Sequence, residues 1–599
     1  ALARFVGAGG FSWLLLRRLG CSTWPSLVGA LAYAFGGFLT HWLLHPPGNV
    51  AVLAPLLLLQ VERRAEHGGG RRTASLAACV GLVLVSGYLQ AAAHALLAVG
   101  AYALLRTRMA VDGRRLPRSA LPGLVGAALL GVGLAAPQWL PFAEYLGHSQ
   151  AATSYGASSM IGEVPWPDVA WLLVDPHHLG DPTGPDYHGP AGPNLTPMEL
   201  MGGYVGVAAL LLAAIGAGWG RPRGLCRLLL GVTAVVLALA WQLPGLYDAF
   251  GSVPLLGSTK PARLLLYVGL SLACLAALGA DALQRRLPNR LRRPVILALA
   301  ATVFLELQHF GKGFNPAVQP ELVFPDTPVT DALRAQPGTF RVLGGELTTL
   351  MPSANMVYGL DSLTGYDGLE DRAASQLIQR LASAPPDHPF VTRVPAYWRE
   401  QNVPLLSLLN VRYLLGAGEL PPPFERLHDG ELDVWRNPWA LPRAFLAEGA
   451  LIEPDGAARL EQLSRGDADP RRVILEAEPD DGRWDAWRRA GFARTGTVEL
   501  TRHEPDDVQL SVAMEGPGMV VLSDVWDSGW RAHVDGAPRP ILRVDHALRG
   551  VLVDADDREI RMRYEPASFR IGLLIAAGCA VLLLALVTRH KPRVAGAPP

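Results

Sequence analysis

Apolar residues fall in long blocks separated by short arginine clusters, and the block lengths predict helices that cross a bilayer. Runs near 1–16, 25–44, 119–138, 198–218, 224–241, 262–283, 294–309 and 571–587 approach the roughly 17 to 25 residues a hydrocarbon core requires. Shorter blocks at 49–61, 73–86 and 91–105 are under-length and are expected to bend or lean on neighbours. Together they predict about eleven passes. Between 312 and 495, strand-like stretches such as FRVLGG and LLNVRYLLG mix with the helical EDRAASQLIQRLA, which predicts an α/β region. From 496 the period becomes two: TVELTRH, VQLSVAM, MVVLSDV, WRAHVDG, PILRVDH, RGVLVDA and EIRMRYE are separated by Gly, Pro and Asp turn signals. Such spacing predicts a β-sandwich. The expected layout is a polytopic helical membrane domain over 1–311 with a large loop at 144–197. An α/β region over 312–495 and a sandwich over 496–570 follow, and a last membrane helix and tail over 571–599 close the chain.

The basic residues alternate from loop to loop. Arg17 and Arg18, ERRAEHGGGRR, RTRMAVDGRRLPR, RPRGLCR, RRLPNRLRR and RHKPR all fall on one side of the predicted helices, and no Lys or Arg occurs from 119 to 220. Basic short loops mark the cytoplasmic side, so the 144–197 loop and the 312–570 block are expected outside the cell and the C-terminus inside. By the same count the first helix enters from outside. The chain opens on ALARFVGAGG, with no initiator Met and no basic region ahead of the apolar run. Both features predict a truncated chain with at least one helix ahead of residue 1. The outer loop, rich in Pro, Trp and acidic residues, suits an ordered segment roofing a cavity.

Composition narrows the function classes. Half of the 599 residues are hydrophobic, and 53 Lys and Arg balance 53 Asp and Glu, so a basic nucleic-acid-binding face is not expected. The five cysteines lie far apart in or beside apolar runs, without CxxC spacing, and predict neither a zinc site nor a disulfide framework. No P-loop, Rossmann glycine pattern or Ser-His-Asp order stands out. No organic cofactor is expected, and a divalent metal is left open.

One pair of cations breaks the charge rule. In STKPARLLLYVGLSL, Lys260 and Arg263 stand at the outer start of a membrane helix. A helix N-terminus offers unpaired N–H groups, and Arg presents a planar fork that matches a phosphate. The alternative is that both are interfacial anchors with snorkelling stems. Acidic candidates on the same face are Glu144, Glu163, Asp168, Asp175, Asp181, Asp186 and Glu199. Glu199 stands out at a helix edge, where an ionised group needs a partner or a role, or where the macrodipole favours a carboxylate. Adjacent His177 and His178 would point apart and read better as solvated loop than as metal ligands. His41, His45, Asn49 and Gln90 read equally as lining of one polar cavity or as interfacial side chains, and Gln90, His45 and Tyr204 are expected among the substrate-binding residues. Trp526, Trp530 and Tyr564 offer sugar-stacking faces, although aromatic residues in a sandwich are more often core.

Several blocks together resemble the bacterial YfhO-like membrane proteins. They include LLLRRLGCSTWPSLVGALAYAFGGFLTHWLLHPPGNV, SGYLQ, MELMGGYVGVAALLLA, VPLLGSTKPARLLLYVGLSL, YGLDSLTGYDGL, LLNVRYLL, VVLSDVWDSGWRAHVDGAPRPI and MRYEPASFRIGLL, collinear over nearly the whole chain. The resemblance implies a GT-C type glycosyltransferase in the bacterial cytoplasmic membrane. Such an enzyme moves a sugar from a polyprenyl-phosphate carrier to an envelope glycan, such as a teichoic acid, or to a glycolipid. It also implies a carboxylate base for the acceptor hydroxyl and cations for the departing lipid phosphate. Lys260 and Arg263 fit the second role. The family's usual base belongs to an outer loop ahead of residue 1, which leaves Glu199, Asp168 and Asp175 as the candidates in this chain. A transporter would be expected to carry paired repeats, and no internal duplication is seen. A non-catalytic envelope scaffold is the other alternative.

Overall fold

A computed structural model describes residues 1–110, 115–150, 170–180, 185–189, 197–253, 259–315, 317–344, 349–350, 353–363, 365, 369–381, 399–416, 418–492 and 496–588. The chain forms two compact units. Ala1–Pro141, Tyr155–Ala317 and Ser568–Pro599 make the first; Phe142–Ser154 and Val318–Ala567 make the second.

The first unit is helical: α1 (Leu2–Arg18), α2 (Thr23–Ala34), α3 (Gly37–His41), α4 (Pro47–His67), α5 (Gly70–Leu84), α6 (Leu89–Arg106), α7 (Leu121–Leu134), α8 (Ala136–His148, which runs on into the second unit), α9 (Val207–Trp219), α10 (Arg223–Ala240), α11 (Leu265–Arg286) and α12 (Asn289–Gly311). The C-terminal helix Ala567–Thr588 completes it. Each apolar run contains helix, yet among the described residues five helices are long and apolar enough to cross a membrane. The number rises to six if α7 and α8, bent by 73°, form one span. The expected eleven is reduced for local reasons. The 25–44 run breaks at Phe35 and Gly36 between α2 and α3, α4 carries Glu62, Arg63, Arg64 and Glu66, and α9 has 13 residues.

At the centre runs α11, buried along the whole of its most apolar 18-residue stretch and packed on α2, α9 and α10. Close approach to α9 depends on two glycines: a Cβ at Gly216 or Gly279 would overlap the backbone of the facing helix, the small-residue device of helix pairs in lipid. The basic loops gather at one end of this unit. Arg18 pairs with Glu66, Arg106 with Glu62 at 2.7 Å, and Asp281 accepts from Ser22 N–H at 3.1 Å, while Arg293 lies over Trp24. At the opposite end Arg4 donates to the Leu43 carbonyl, and Asn315 donates to that of Thr40. Charge alternation along the chain thus becomes one end where the basic loops gather and an opposite end that holds Arg4, Lys260 and Arg263.

Among the described residues the second unit holds three sheets. A five-stranded sheet is ordered β2 (Asp361–Ser362), β1 (Arg341–Gly344), β3 (Val411–Leu415), β5 (Val434–Arg436), β4 (Glu425–His428). A second is β13 (Ala537–Arg539), β12 (Trp530–Val534), β16 (Glu559–Tyr564), β10 (Asp507–Met514), β9 (Gly496–His503). The third, six-stranded, is β6 (Ala444–Leu446), β11 (Gly518–Val525), β15 (Leu548–Val553), β14 (Leu542–Val544), β8 (Arg472–Leu475), β7 (Gly449–Ile452). All seven alternating runs are strands. Val508, Leu510, Val520, Leu522, Trp530, Ile560 and Met562 fill the space between the last two sheets, as in a sandwich.

Residue 496 does not separate an α/β region from that sandwich. The six-stranded sheet takes β6, β7 and β8 from before it, and its outer face is covered by Trp484 and Trp487 of the helix Gly482–Arg489. These three strands are short and mostly apolar, so they lack the alternation that marks the later ones.

Candidate active site

Three helical connections meet at the end of the first unit opposite the basic loops. The N-terminal start of α6 presents Tyr88, its cap residue, and Gln90, and Asn49 Nδ2 fixes the turn ahead of it by donating to the Ser86 carbonyl at 2.9 Å. Residues Pro197–Gly203 form a 3-10 turn ahead of α9 and carry Glu199. A second such turn, Pro261–Leu264, leads into α11, with Lys260 just before it and Arg263 within it. The two cations therefore sit on the lead-in to α11 rather than on its first α-helical turn.

Arg263 is the hub. Its guanidinium carbon lies 4.6 Å from the centre of the Tyr88 ring and 5.5 Å from that of Trp42, positions that give cation–π attraction. Nη1 donates to Gln90 Oε1 at 2.9 Å, and the same oxygen accepts from Tyr88 Oη at 2.7 Å. Glu199 Oε1 faces the fork at 3.5 Å from both Nε and Nη2, and Lys260 lies within electrostatic reach of that carboxylate. The Glu199 side chain is 2% exposed and that of Arg263 12%. A charge-assisted contact is usually 2.7–2.9 Å, so the Glu199 contact is loose while the Gln90 contact is tight.

Unused polar atoms surround the pair. Among the described residues, Gln90 Nε2, His41 Nε2 and His94 Nδ1 are buried without a hydrogen-bond partner. His94 Nε2 meets Thr259 Oγ1, beside Lys260, at 3.2 Å. Buried polar groups are normally satisfied, and such vacant donors and acceptors suit a polar ligand. His45 is exposed with its ring 5.5 Å from that of Trp42, and Arg4 donates to its carbonyl at 3.2 Å.

Other expected residues go elsewhere. Tyr204 Oη donates to Glu306 Oε1 at 2.9 Å, and its ring packs 4.9 Å from that of Phe310. Asp175 lies within electrostatic reach of Tyr204, but its carboxylate is exposed and accepts from the His177 N–H at 3.0 Å, closing its own turn. His177 packs against Phe310 and His178 against Trp171. No group of three His, Cys, Asp or Glu residues among those described could hold a metal. Asp186 lies in an exposed turn, and Glu144 in the second unit within electrostatic reach of Tyr564. Asp168, Glu163 and Asp181 lie outside the described residues. Trp530 is 9% exposed, part of the sandwich core, with the Arg549 guanidinium over its ring. Trp526 donates through Nε1 to the Ile541 carbonyl, and Tyr564 is half-exposed beside Trp530.

Sequence reading passed over Glu306. Its carboxylate, on α12, accepts from Tyr204 Oη and from the backbone N–H groups of Val207 and Ala208. It caps α9 from a neighbouring helix, at Gly206, whose φ of +88° suits a residue without Cβ. The available signal was the one acidic residue inside the 294–309 apolar run, a costly placement without a partner.

No protein-family model and no curated protein matches the chain. Among solved structures it is similar to the cryo-EM structure of arabinofuranosyltransferase AftD from mycobacteria, at 12% identity over 94% of this chain and a TM-score of 0.42. Two structures of a mutant of that enzyme are similar at 13% and 14% identity, with TM-scores of 0.42 and 0.39. The chain spans about half the length of those proteins, 50 to 53%, and likeness of this degree bears no functional weight.

Proposed function

We propose that this chain is a membrane glycosyltransferase of GT-C type that transfers a sugar from a polyprenyl-phosphate carrier to an envelope glycan or glycolipid on the outer face. The observation that carries the reading is the Arg263 fork, held between Tyr88 and Trp42 at a helix mouth beside a buried carboxylate and a second cation. A phosphodiester or phosphomonoester headgroup offers the oxygens that the fork, Lys260 and Gln90 Nε2 would bind. In transfer, an acceptor hydroxyl oxygen forms a bond to the anomeric carbon as the bond from that carbon to the phosphate oxygen breaks. The phosphate leaves with the electron pair, and its growing charge is met by Arg263 and Lys260. The hydroxyl proton passes to a carboxylate. Among the described acidic candidates Glu199 is the one that faces the fork, so it takes that role in preference to Asp175; Asp168 remains a second candidate.

Donor capture and transfer are measured separately in nanodiscs, with a photoreactive polyprenyl phosphate and a radiolabelled polyprenyl-phosphate sugar. Arg263→Lys, which keeps the charge and loses the fork, is expected to lower photolabelling at least ~10-fold, the range of one lost charge-assisted contact. Glu199→Gln is expected to retain photolabelling and lower transfer by about 100-fold or more, the scale of a general base. Unchanged photolabelling of Arg263→Lys in protein that inserts normally would overturn the phosphate assignment.

A further inference from the structure

The second unit carries an apolar patch that the proposed reaction does not use. Val318, Leu322, Val323 and Phe324 are 57%, 66%, 50% and 43% exposed, and Met356 and Val357 are 73% and 54% exposed. The two stretches form one surface: the rings of Phe324 and Tyr358 meet edge to face at 6.4 Å, and Tyr358 Oη donates to the Pro325 carbonyl at 3.1 Å. Scattered exposed apolar side chains are ordinary, but a contiguous group marks a contact.

The chain itself indicates what covers it. The 23 residues of α12 span about 34 Å, slightly more than the ~30 Å hydrocarbon thickness, so the Gly311 end reaches about the headgroup level. Beyond it, the Phe314 ring packs against that of Phe310 and Asn315 donates to the Thr40 carbonyl, which keep the chain on the helical unit. From Asn315, three residues of fully extended chain reach Val318 within about 10 Å. The first residue of the patch is therefore covalently held near the bilayer surface. Charge points the same way: the stretch holds one ionisable side chain, Glu321, and the nearby Arg334 is engaged by Asp326.

We propose that the surface formed by Val318, Leu322, Val323, Phe324, Met356 and Val357 inserts into the headgroup and upper acyl region of the leaflet next to the Gly311 end of α12. Insertion is apolar, so it does not depend on anionic lipid, unlike a basic membrane-binding face. This inference is independent of the glycosyl-transfer reading.

The test uses the full chain in nanodiscs, with the native cysteines replaced and a bimane label at Leu322→Cys or Met356→Cys. Asp467→Cys, at an exposed residue of the same unit, is the control. Both patch labels are expected to be quenched by lipids brominated high on the acyl chain, at least threefold more than the control. They are expected to resist iodide, with the same result in zwitterionic and in anionic bilayers. Patch labels that iodide quenches as readily as the control would overturn the proposal. So would labels shielded only in cross-linked pairs of chains, the outcome for a second copy as occupant, or quenching by brominated lipid that requires anionic headgroups.

Discussion

Asp545 sits at the hairpin between β14 and β15, where it and His546 both adopt positive φ, 47° and 70°, the left-handed region in which Asn, Asp and His are enriched among non-glycine residues. Its Oδ1 accepts from the Ile474 N–H at 2.8 Å while Oδ2 is buried without a partner among the described residues. Burial pushes the carboxyl up to about 7, against the pull of that N–H. Because the folded state holds the proton that the unfolded state has lost, this residue costs stability as pH rises from the ordinary carboxylate range to about 7. His546, pushed down to about 4 mainly by burial, contributes the opposite slope between about 4 and 6.5. Comparing two proteins separates the effects. Asp545→Asn keeps the accepting oxygen and is expected to gain on the wild type between pH 5 and 7, by at most about 1.4 kcal/mol per pH unit, and to hold that gain above 7. Thermal melts of the detergent-purified chain at several pH values check it, and a constant difference would refute it. At this scale the sequence revealed isolated charges better than partnered ones. Lys260 and Arg263 stood out because their side of the charge pattern is nearly empty. Asp545 and Glu306 did not, because each acquires its meaning from a backbone N–H about 70 to 100 positions away.

Apolar runs and alternating runs were legible as elements because each reflects a single local period, and every one of them became a helix or a set of strands. Their interruptions were harder to read. The break between α2 and α3, the 3-10 turns ahead of α9 and α11, and the short strands β6 to β8 depend on contacts with distant segments, which local periodicity does not contain. The α9 start illustrates the dependence: Gly206 and the first N–H groups have no acidic capping residue of their own and borrow Glu306 from α12. Removing that carboxylate leaves two helix N–H groups and the Tyr204 hydroxyl without their acceptor. Glu306→Ala is expected to speed amide hydrogen exchange of peptides covering 206–210 by about 10- to 100-fold, with Glu306→Gln between it and the wild type. Exchange unchanged in Glu306→Ala would mean that α9 does not rely on this cap.

For the molecule as a whole, the gathering of basic loops at one end of the helical unit agrees with one orientation in the bilayer, the basic end toward the cytoplasm. A reporter fused after Val403 is accordingly expected to be extracytoplasmic: alkaline phosphatase active, green fluorescent protein dark. A bright cytoplasmic fluorophore there would reverse the orientation, and with it the side that the proposed Arg263 site faces. Chain order adds a further constraint that periodicity could not disclose, since the second unit is assembled from an early piece and a late one. Ser149 bridges to Asp371, Gln150 N–H donates to the Glu370 carbonyl at 3.0 Å, and Arg372 donates to that of Ser149 at 3.2 Å. When a ribosome has finished Ser149 and Gln150, their partners Glu370, Asp371 and Arg372 are more than 200 codons away. At about 5–20 residues per second the wait is on the order of 10 to 40 s. Over that interval the Ser149 carbonyl and the Gln150 N–H lack these folded-state partners, and a message cut short before residue 370 would leave them so for good.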